Sequence, residues 1–592
     1  MVFKIKIIFF YDYETVEGKV DWHGEPAIKC KHGGKRASLF VLGMMVLDSA
    51  ANVALQVSLV TYLVGVMHLE LADAANQLNN MLGTVHILTL LIAAFADTYF
   101  GRYRVAIVSG FFEFLGMALL TIQARFPSMK PPPCKVFSEG SNCQKVEGSD
   151  AVLLFIALYM IGIGLAGLKT SLPPHGADQF DDKDPRELRQ MASYFNYLVL
   201  SVALGGSVSL TFIVWIQDNK GWDLGFGASS ASILFGLVLF LVALPVFRID
   251  APQESSAITE ILQVYVAALR KRKLKLPEVP ADLYEISKED EASFTIEFLP
   301  HTDTFRFLDK AAVRPPSTVQ LERPESINPW KLCRVTQVEN AKIVLGIMPL
   351  VFCTIVMTVC TAQLQTFSVQ QCRTMDARIF RSITLPPASL QVIPYIIVTV
   401  LVPIYDRVFV PIARKITGHP TGITNLQRIG VGLFLSSVSM AIAGVIEVKR
   451  KAVATRHNML DAVPGIQPLP ISRLWLSIQY MIFGIADMFT FAGLLRFFYA
   501  ETPKGLKSVS TCFLWISVSL GYFSSSILVE LVNRITAHIT KNRGWLAGNN
   551  LNSNHLEYFY WLLSIIVLIN FFVYLIVSRR YKYRPQYDMV YV

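Results

Sequence analysis

The stretch IGIGLAGLKTSLPPHGADQF, residues 161–180, places Lys169 near the end of an apolar run that begins near Ala151. A charged residue on a membrane-spanning helix costs about 2.5 to 3.5 kcal/mol on insertion scales, so such a residue usually faces water or an opposite charge. Two other apolar runs carry candidate partners, Asp48 and Asp487. The sequence therefore predicts a helix bundle that brings three charges from distant parts of the chain together.

The composition indicates a polytopic membrane protein. The chain has 592 residues, of which 53% are hydrophobic and 17% charged, and its mean hydropathy is +0.44. A helix needs roughly 20 apolar residues to cross a hydrocarbon core of about 30 Å. Twelve stretches satisfy this requirement, so we predict an all-α membrane protein with twelve transmembrane helices. Their expected centres are residues 50, 88, 114, 160, 202, 236, 350, 394, 437, 483, 519 and 567.

Basic residues predict which loops are cytoplasmic, because Lys and Arg accumulate on that side of membrane helices. HGGKR before the first span, the long polar segment in mid-chain and SRRYKYR at the end all indicate the cytoplasm. VKRK at residues 448–451 falls outside in this arrangement and departs from the rule. We expect two six-helix bundles, at residues 37–247 and 338–577. The N-terminal tail (1–36), the central loop (248–337) and the C-terminal tail (578–592) should be cytoplasmic.

The two halves share a weak internal symmetry. The second span ends in ADTYFGRYR with Asp97 and Arg102, and the eighth ends in IYDRVFVPIARK with Asp406 in the corresponding place. Such a cytoplasmic turn can hold two helix ends through an Asp–Arg pair. Parallel repeats of this kind are typical of transporters that bind a small-molecule substrate near the bilayer midplane, between the halves.

Other classes of protein are disfavoured. The net charge of +10 clusters beside membrane helices, so we expect the lipid bilayer and not a nucleic acid as the partner. No CxxC spacing, metal cluster, nucleophile–base pair or phosphate loop is present, so we expect neither an enzyme nor a metal site nor an organic cofactor. Cys134 and Cys143 share one loop and could form a disulfide if that loop is external.

One segment allows two interpretations, and a group of glycines predicts close packing. Residues 258–275, ITEILQVYVAALRKRKLK, combine helical apolar spacing with a basic end. This segment is either a helix on an anionic membrane surface or a cytosolic helix packed on the bundle. Gly162, Gly164 and Gly167 permit close helix approach, and we interpret them as packing residues.

Polar and aromatic residues on the predicted spans are candidates for a substrate cavity. Each of them could instead form hydrogen bonds between helices, which are common in membranes. The candidates are Asn52, Gln56, Asn196, Tyr197, Thr358, Thr361, Gln363, Gln391, Thr490 and Trp515.

Several motifs in order along nearly the whole chain resemble a known family. They are HGGKR, LVTYL, DTYFGRYR, LKTSLPPHGADQF, LPHTDTFRFLDKAAV, AQLQTFSVQQ, LPPASLQ, LQRIGVGLF and FFYAETPKGLK. The chain resembles the plant nitrate/peptide transporters, a branch of the proton-dependent oligopeptide transporters in the major facilitator superfamily. Within that branch it is most similar to the subfamily with abscisic acid and gibberellin importers and nitrate-related members.

The resemblance implies two six-helix bundles around a central cavity, with protons and substrate entering together. We expect the plasma membrane by default, because the sequence shows no obvious organelle address. The family's first-span motif, Glu-x-x-Glu-Arg or Lys, reads Met45, Asp48 and Ser49 here, so only its second acid remains, as Asp. The fourth-span lysine matches Lys169 and the tenth-span acid matches Asp487. Arg496 stands where the tenth span often holds an acid, nine residues from Asp487 and hence on the opposite face. We interpret Arg496 as extending to the cytoplasmic rim.

Our hypothesis for the mechanism is a salt bridge between Lys169 and Asp487 that joins the two bundles. Protonation of Asp487 or Asp48 would release Lys169 to bind an anion, with the proton as the coupling ion. The alternative is a purely structural ion pair. Because Met45 and Ser49 cannot titrate, an uncoupled facilitator or a transporter-like nitrate or hormone sensor is the second candidate function.

Overall fold

The computed structural model describes residues 14–134, 143–181, 184–250, 257–277, 283–285, 299–314, 328–380, 383–384, 386–418, 422–463, 467–501, 507–539 and 544–581. These residues form twelve principal helices. They are α1 (Gly34–Gly65), α2 (Leu71–Phe95), α3 (Arg102–Arg125), α4 (Gly148–Ala177), α5 (Pro185–Val208), α6 (Trp222–Val242), α7 (Val335–Gln365), α8 (Val392–Ile404), α9 (Asn425–Arg456), α10 (Trp475–Glu501), α11 (Lys507–Ile539) and α12 (Leu556–Arg580).

The loops between these helices contain short strands and short helices. The strands are β1 (Thr15–Val20), β2 (Pro26–Ile28), β3 (Ile249–Asp250), β4 (Met375–Asp376), β5 (Arg378–Phe380), β6 (Ile383–Thr384) and β7 (Leu469–Ser472). They form a three-stranded antiparallel sheet in the order β2-β1-β3, a parallel pair β4-β7 and an antiparallel pair β5-β6. The central loop carries the loop helix (Ala257–Arg270) and a 3₁₀ helix (Arg306–Ala312).

The prediction of an all-α membrane protein is confirmed. Ten of the described helices have the length and hydropathy of a membrane span. The two others, α2 and α8, do not have the length and hydropathy of a span. The first half of α2 is rich in Asn and Gln, whereas α8 is short and contains Pro403. In the first bundle α3 packs on α4 and α6, and in the second α9 packs on α10 and α12. The bundles meet mainly where α2 packs on α11.

The internal symmetry is visible in the backbone. The α-helix of α2 continues into a five-residue π-helix, Ala96–Phe100, and α8 continues into another, Tyr405–Phe409. A π-helix is rare and usually occurs as a single turn at a functional position. The same irregularity at the same point of each half supports an origin as a repeat.

Arg248 joins the helix ends at one side of the molecule, which we call the termini side. Its guanidinium is 1% exposed and pairs with Glu187 at 2.7 Å from Nη1 to Oε2. It also donates to the carbonyl oxygens of Gln179 and Lys29. Since these residues lie after α4, at the start of α5 and in the N-terminal tail, one side chain holds three segments together beside the β1-β3 pairing.

The central loop is docked on the second bundle. Lys342 of α7 is buried and pairs with Asp309 of the 3₁₀ helix at 2.7 Å and with Glu339 at 2.8 Å. Lys271, just after the loop helix, donates to the carbonyl oxygens of Ala311 and Val313. The loop helix also packs against α7 and α11. Of the two interpretations of residues 258–275, the structure favours the helix packed on the bundle.

The basic segment 448–451 is accounted for by its partners on the opposite side of the molecule, the distal side. Arg450 is fully buried and forms a 2.6 Å ion pair with Glu447 of the same helix. Lys451 pairs with Glu557 at 2.9 Å. Acidic residues of the protein neutralise these two charges, so they do not indicate on which side of the membrane the segment lies. The distal loop between α3 and α4 contains the Cys134–Cys143 disulfide.

Hydrogen bonds between the two bundles gather in their distal half. Thr61 near the end of α1 accepts from Gln370, and Asn79 of α2 donates to Ser525 of α11. Ser519 and Ser526 of α11 donate to carbonyl oxygens along the first half of α2. Because these contacts tie the distal ends together, the conformation is closed on the distal side.

Candidate functional site

Lys169 lies in the last third of α4, half-buried, next to the interface between the bundles. Its Nζ is 5.6 Å from the centroid of the Trp515 ring on α11, within cation–π range. Its charge interacts with two carboxyl groups of its own bundle, Asp48 on α1 and Glu113 on α3. Two acids and one aromatic ring therefore surround this lysine.

Glu113 is the residue of this site that the sequence analysis did not single out. Its side chain is 0% exposed, and its Oε1 accepts a hydrogen bond from Asn52. Asn52 also donates to Asp48 Oδ1 at 3.0 Å, so one amide group bridges the two acids. Glu113 stands alone in the apolar run GFFEFLGM, so the criterion that selected Lys169 would also have selected it.

The predicted salt bridge between Lys169 and Asp487 is not formed in this conformation. Among the described residues Asp487 has no ion pair or hydrogen bond, and its charge instead interacts with Tyr395 of α8 and Tyr522 of α11. The physical reason is that α1 and α3 supply two acids within the same bundle as Lys169, whereas Asp487 belongs to the other bundle. The electrostatic partners of Lys169 are thus within its bundle.

Three stacked rings, which we call the aromatic wall, lie beside Lys169. His86 of α2 stacks on Trp515 at 5.1 Å and on Tyr522 at 5.8 Å between ring centroids. The hydroxyl of Tyr522 donates to Gln365 at 2.9 Å. The contacts run from Lys169 to Trp515, then to His86 and to Tyr522, whose hydroxyl interacts with the charge of Asp487. This arrangement combines a cation with flat apolar surfaces.

The remaining cavity candidates divide by their surroundings. Thr358, Gln363, Gln391 and Thr490 are buried at helix contacts, and Gln363 donates to Ser525 at 2.7 Å. Gln363 therefore forms the kind of helix-to-helix hydrogen bond that was the alternative interpretation. Asn52 belongs to the acid cluster and Trp515 to the aromatic wall, whereas Gln56 and Thr361 are half-buried and Tyr197 is exposed. The side chain of Asn196 lies outside the described residues.

The residues predicted at the termini-side turns are partly described. Arg102 forms two hydrogen bonds with the carboxylate of Asp178 at the end of α4, at 2.7 and 2.9 Å. The side chains of Asp97 and Asp406 lie outside the described residues, so an Asp97–Arg102 pair stays a prediction. Arg496 is exposed, as expected of a residue at the rim.

Close packing of α3 on α4 holds Glu113 against Lys169 and gives a testable prediction. A Cβ atom on Gly164 would lie 2.6 Å from the backbone nitrogen of Glu113, whereas one on Gly162 would meet only Val85 Cγ2 at 3.3 Å. We expect Gly164→Ala to force the two helices apart and to lower the free energy of unfolding by about 1–3 kcal/mol. Gly162→Ala is the matched control and should be tolerated. Equal thermal stability of the two purified variants would contradict this packing.

The fold and the site define a class of protein: two six-helix bundles with a charged and aromatic site at their interface are the architecture of a secondary transporter. Solved structures agree on the fold. An auto-inhibited POT family peptide transporter matches with a TM-score of 0.66 at 16% identity, covering 93% of this chain and 98% of that one. A POT family transporter in complex with 5-aminolevulinic acid matches with a TM-score of 0.61 at 12% identity, covering 93% and 99%.

Sequence comparisons give the family. The family model PTR2, described as the POT family, matches residues 103–546. Protein NRT1/PTR FAMILY 4.3 from Arabidopsis thaliana is 41% identical over 566 residues, covering 95% of this chain and 92% of the relative. Protein NRT1/PTR FAMILY 4.5 from the same plant is 41% identical over 573 residues, covering 97% and 98%. The chain belongs to the POT family, in its NRT1/PTR branch, and is a multi-pass membrane transporter with the major facilitator fold.

Proposed function

We propose that the protein imports a small apolar carboxylate together with a proton, by alternating access, across the plasma membrane. The observation that carries this proposal is the position of Lys169, a half-buried cation between an acid pair and the aromatic wall. A carboxylate needs a cation to replace its hydration, and a ring system needs flat apolar surfaces. Abscisic acid and gibberellin have both a carboxylate and a ring system, whereas nitrate has only a negative charge for the lysine to bind.

The coupled proton compensates the negative charge of the substrate. With one proton shared by Asp48 and Glu113, the two acids carry one negative charge, which Lys169 neutralises. A substrate anion adds a second negative charge to this buried cluster, and charges that are not compensated are costly in the membrane. Uptake of one further proton by the acid pair restores neutrality. The substrate anion and the proton therefore bind as a neutral combination.

Alternating access requires two arrangements of the bundles around one site. The distal hydrogen bonds between α2 and α11 close one side, and the termini side is the cytoplasmic side in the predicted topology. In this assignment the structure is the inward-facing state. In the outward-facing state these distal bonds would break, and Lys169 and Asp487 could then approach each other across the site.

Radiolabelled uptake in oocytes tests the proposed function. Abscisic acid, a gibberellin, nitrate and a dipeptide are supplied separately at acidic and at neutral external pH, with water-injected oocytes as the baseline for passive entry. We expect carrier-mediated uptake of at least one carboxylate hormone, faster at acidic pH. Uptake of the dipeptide alone would contradict the proposed substrate class.

The second candidate is an uncoupled facilitator or a hormone or nitrate sensor. It is favoured by one observation: Met45 is buried among apolar side chains, so α1 offers Asp48 but no second acid at that position. Saturable uptake that is independent of pH would identify a facilitator. Binding of a probe without uptake would identify a sensor.

A further inference from the structure

We propose that Glu113 of α3, paired with Asp48 of α1, is the group that takes up and releases the coupled proton. This inference rests on the proposed function and names the residues that perform its proton step. It assigns a transport role to the third helix, which otherwise serves to pack α4 and α6.

The geometry of the pair favours a shared proton. The amide nitrogen of Asn52 donates to one oxygen of each acid, so the two carboxyl groups occupy a single site. Two carboxylates sharing a site repel each other strongly when both are ionised. One proton therefore resides on the pair.

The surroundings of Glu113 also favour a neutral acid. Its Oε2 is fully buried, and it accepts no hydrogen bond from an N–H or hydroxyl group of the described residues. Its Oε1 accepts from the amide of Asn52, which also bridges to Asp48. A buried carboxylate with one donor is poorly compensated, whereas a carboxylic acid needs less compensation. Asn52 fixes the two acids relative to each other.

The charged and titratable groups that face this pair are few. Among the described residues they are Lys169 on α4, whose charge interacts with both acids, and His86 on α2, which interacts with Lys169. The helix α6 also packs on α3, but its acid Asp223 lies at the distal end in an ion pair with Arg125. The proton of the Asp48–Glu113 pair is therefore controlled by Lys169 and by whatever anion that lysine binds.

Charge and protons balance over one transport cycle. The pair begins with one proton and a net charge of −1, opposite Lys169 at +1. A substrate carboxylate binds Lys169 while one proton from the external solution joins the pair, so both acids become neutral. After the bundles reorient, the carboxylate leaves and one proton passes to the cytoplasm, which restores the starting charge of the pair. One proton and one anion have crossed.

The first test is infrared difference spectroscopy on the purified full-length protein in lipid, which detects the carbonyl stretch of a protonated carboxyl group independently of transport. We expect a protonated-carboxyl band in the wild type that titrates with pH and is lost in Glu113→Gln. The exposed acid variant Glu530→Gln is the control and should keep the band. If the Glu113 variant does not insert, Asp48→Asn reports on the same pair, since removing either partner removes the shared proton. A titrating band of unchanged intensity in the folded variant would overturn the proposal, whereas a weaker remaining band is expected from Asp487.

The second test is the pH profile of uptake of labelled abscisic acid in oocytes, with water-injected oocytes subtracted. We expect Glu113→Gln to lose the stimulation by external acid, and Glu113→Asp to recover part of it. A variant that is slower at every pH but keeps the wild-type stimulation would assign Glu113 a packing role and overturn the inference. If the wild type itself transports none of the probes, the proposed function fails, while the infrared band still decides whether Glu113 holds the proton.

Discussion

Lys169→Ala is expected to lower uptake of the transported anion by at least about 30-fold. Removing one member of a buried charge cluster costs about 2–5 kcal/mol, and each 1.4 kcal/mol is a factor of ten. The variant loses the cation that binds the substrate and leaves the acid pair without its counter-charge. Initial rates of labelled uptake, normalised to the amount of protein at the membrane, measure the effect.

The chain provides a matched control for this variant. Lys449 also lies over a tryptophan ring, with Nζ 3.2 Å from the centroid of Trp475, but it is exposed on the distal side. Lys449→Ala removes a lysine–tryptophan contact without touching the site, and its uptake should match that of the wild type. Full uptake by a folded Lys169→Ala variant would contradict the assigned role, and loss of folded protein would instead assign Lys169 a structural role as the counter-charge of Asp48 and Glu113.

Arg450→Met is expected to destabilise the fold more than Gly164→Ala does. The guanidinium of Arg450 pairs with Glu447 and donates to Thr374, Asn552 and the carbonyl oxygen of Leu551. It thereby joins α9 to two distal segments in a fully buried position. Removing one partner of such a pair leaves an uncompensated charge and costs about 3–5 kcal/mol. The midpoint of thermal unfolding of the purified protein should fall accordingly.

Two further variants test whether the loss of stability comes from breaking the buried pair or from removing any charge. Arg534→Ala breaks an exposed ion pair with Glu530 on α11 and should cost at most about 1 kcal/mol. Combining Arg450→Met with Glu447→Gln should recover part of the lost stability, because no charge is then left buried alone. If Arg450→Met is no less stable than Arg534→Ala, the buried pair does not hold the distal side together.

The helices were predictable because a membrane span is a long apolar run, and that signal does not depend on tertiary contacts. The same reasoning identified Lys169 as a functional candidate. It could not identify the partner of Lys169, because Asp48, Glu113 and Asp487 lie on different helices and a sequence does not state which helix faces are adjacent. The choice of Asp487 was wrong for this conformation, and Glu113 was missed although its apolar setting resembles that of Lys169.

The polar residues of the spans show a second limit of prediction from the sequence. Gln363 carries the same amide group as Asn52, yet it donates to Ser525 of another helix, whereas Asn52 bridges the two acids. A buried polar side chain is costly without a hydrogen-bond partner. Whether that partner is another helix or a substrate depends on packing, and small residues such as Gly164 and Gly432 determine that packing at close range.

The most direct test of the proposed mechanism is whether protons enter with the anion. Purified protein is reconstituted into vesicles that enclose a pH-sensitive dye, with equal pH on both sides, and abscisic acid is added outside. We expect the interior to acidify faster than in protein-free vesicles, and the difference to be absent with Lys169→Ala. Uptake of labelled abscisic acid without this additional acidification would contradict proton coupling and would identify a facilitator.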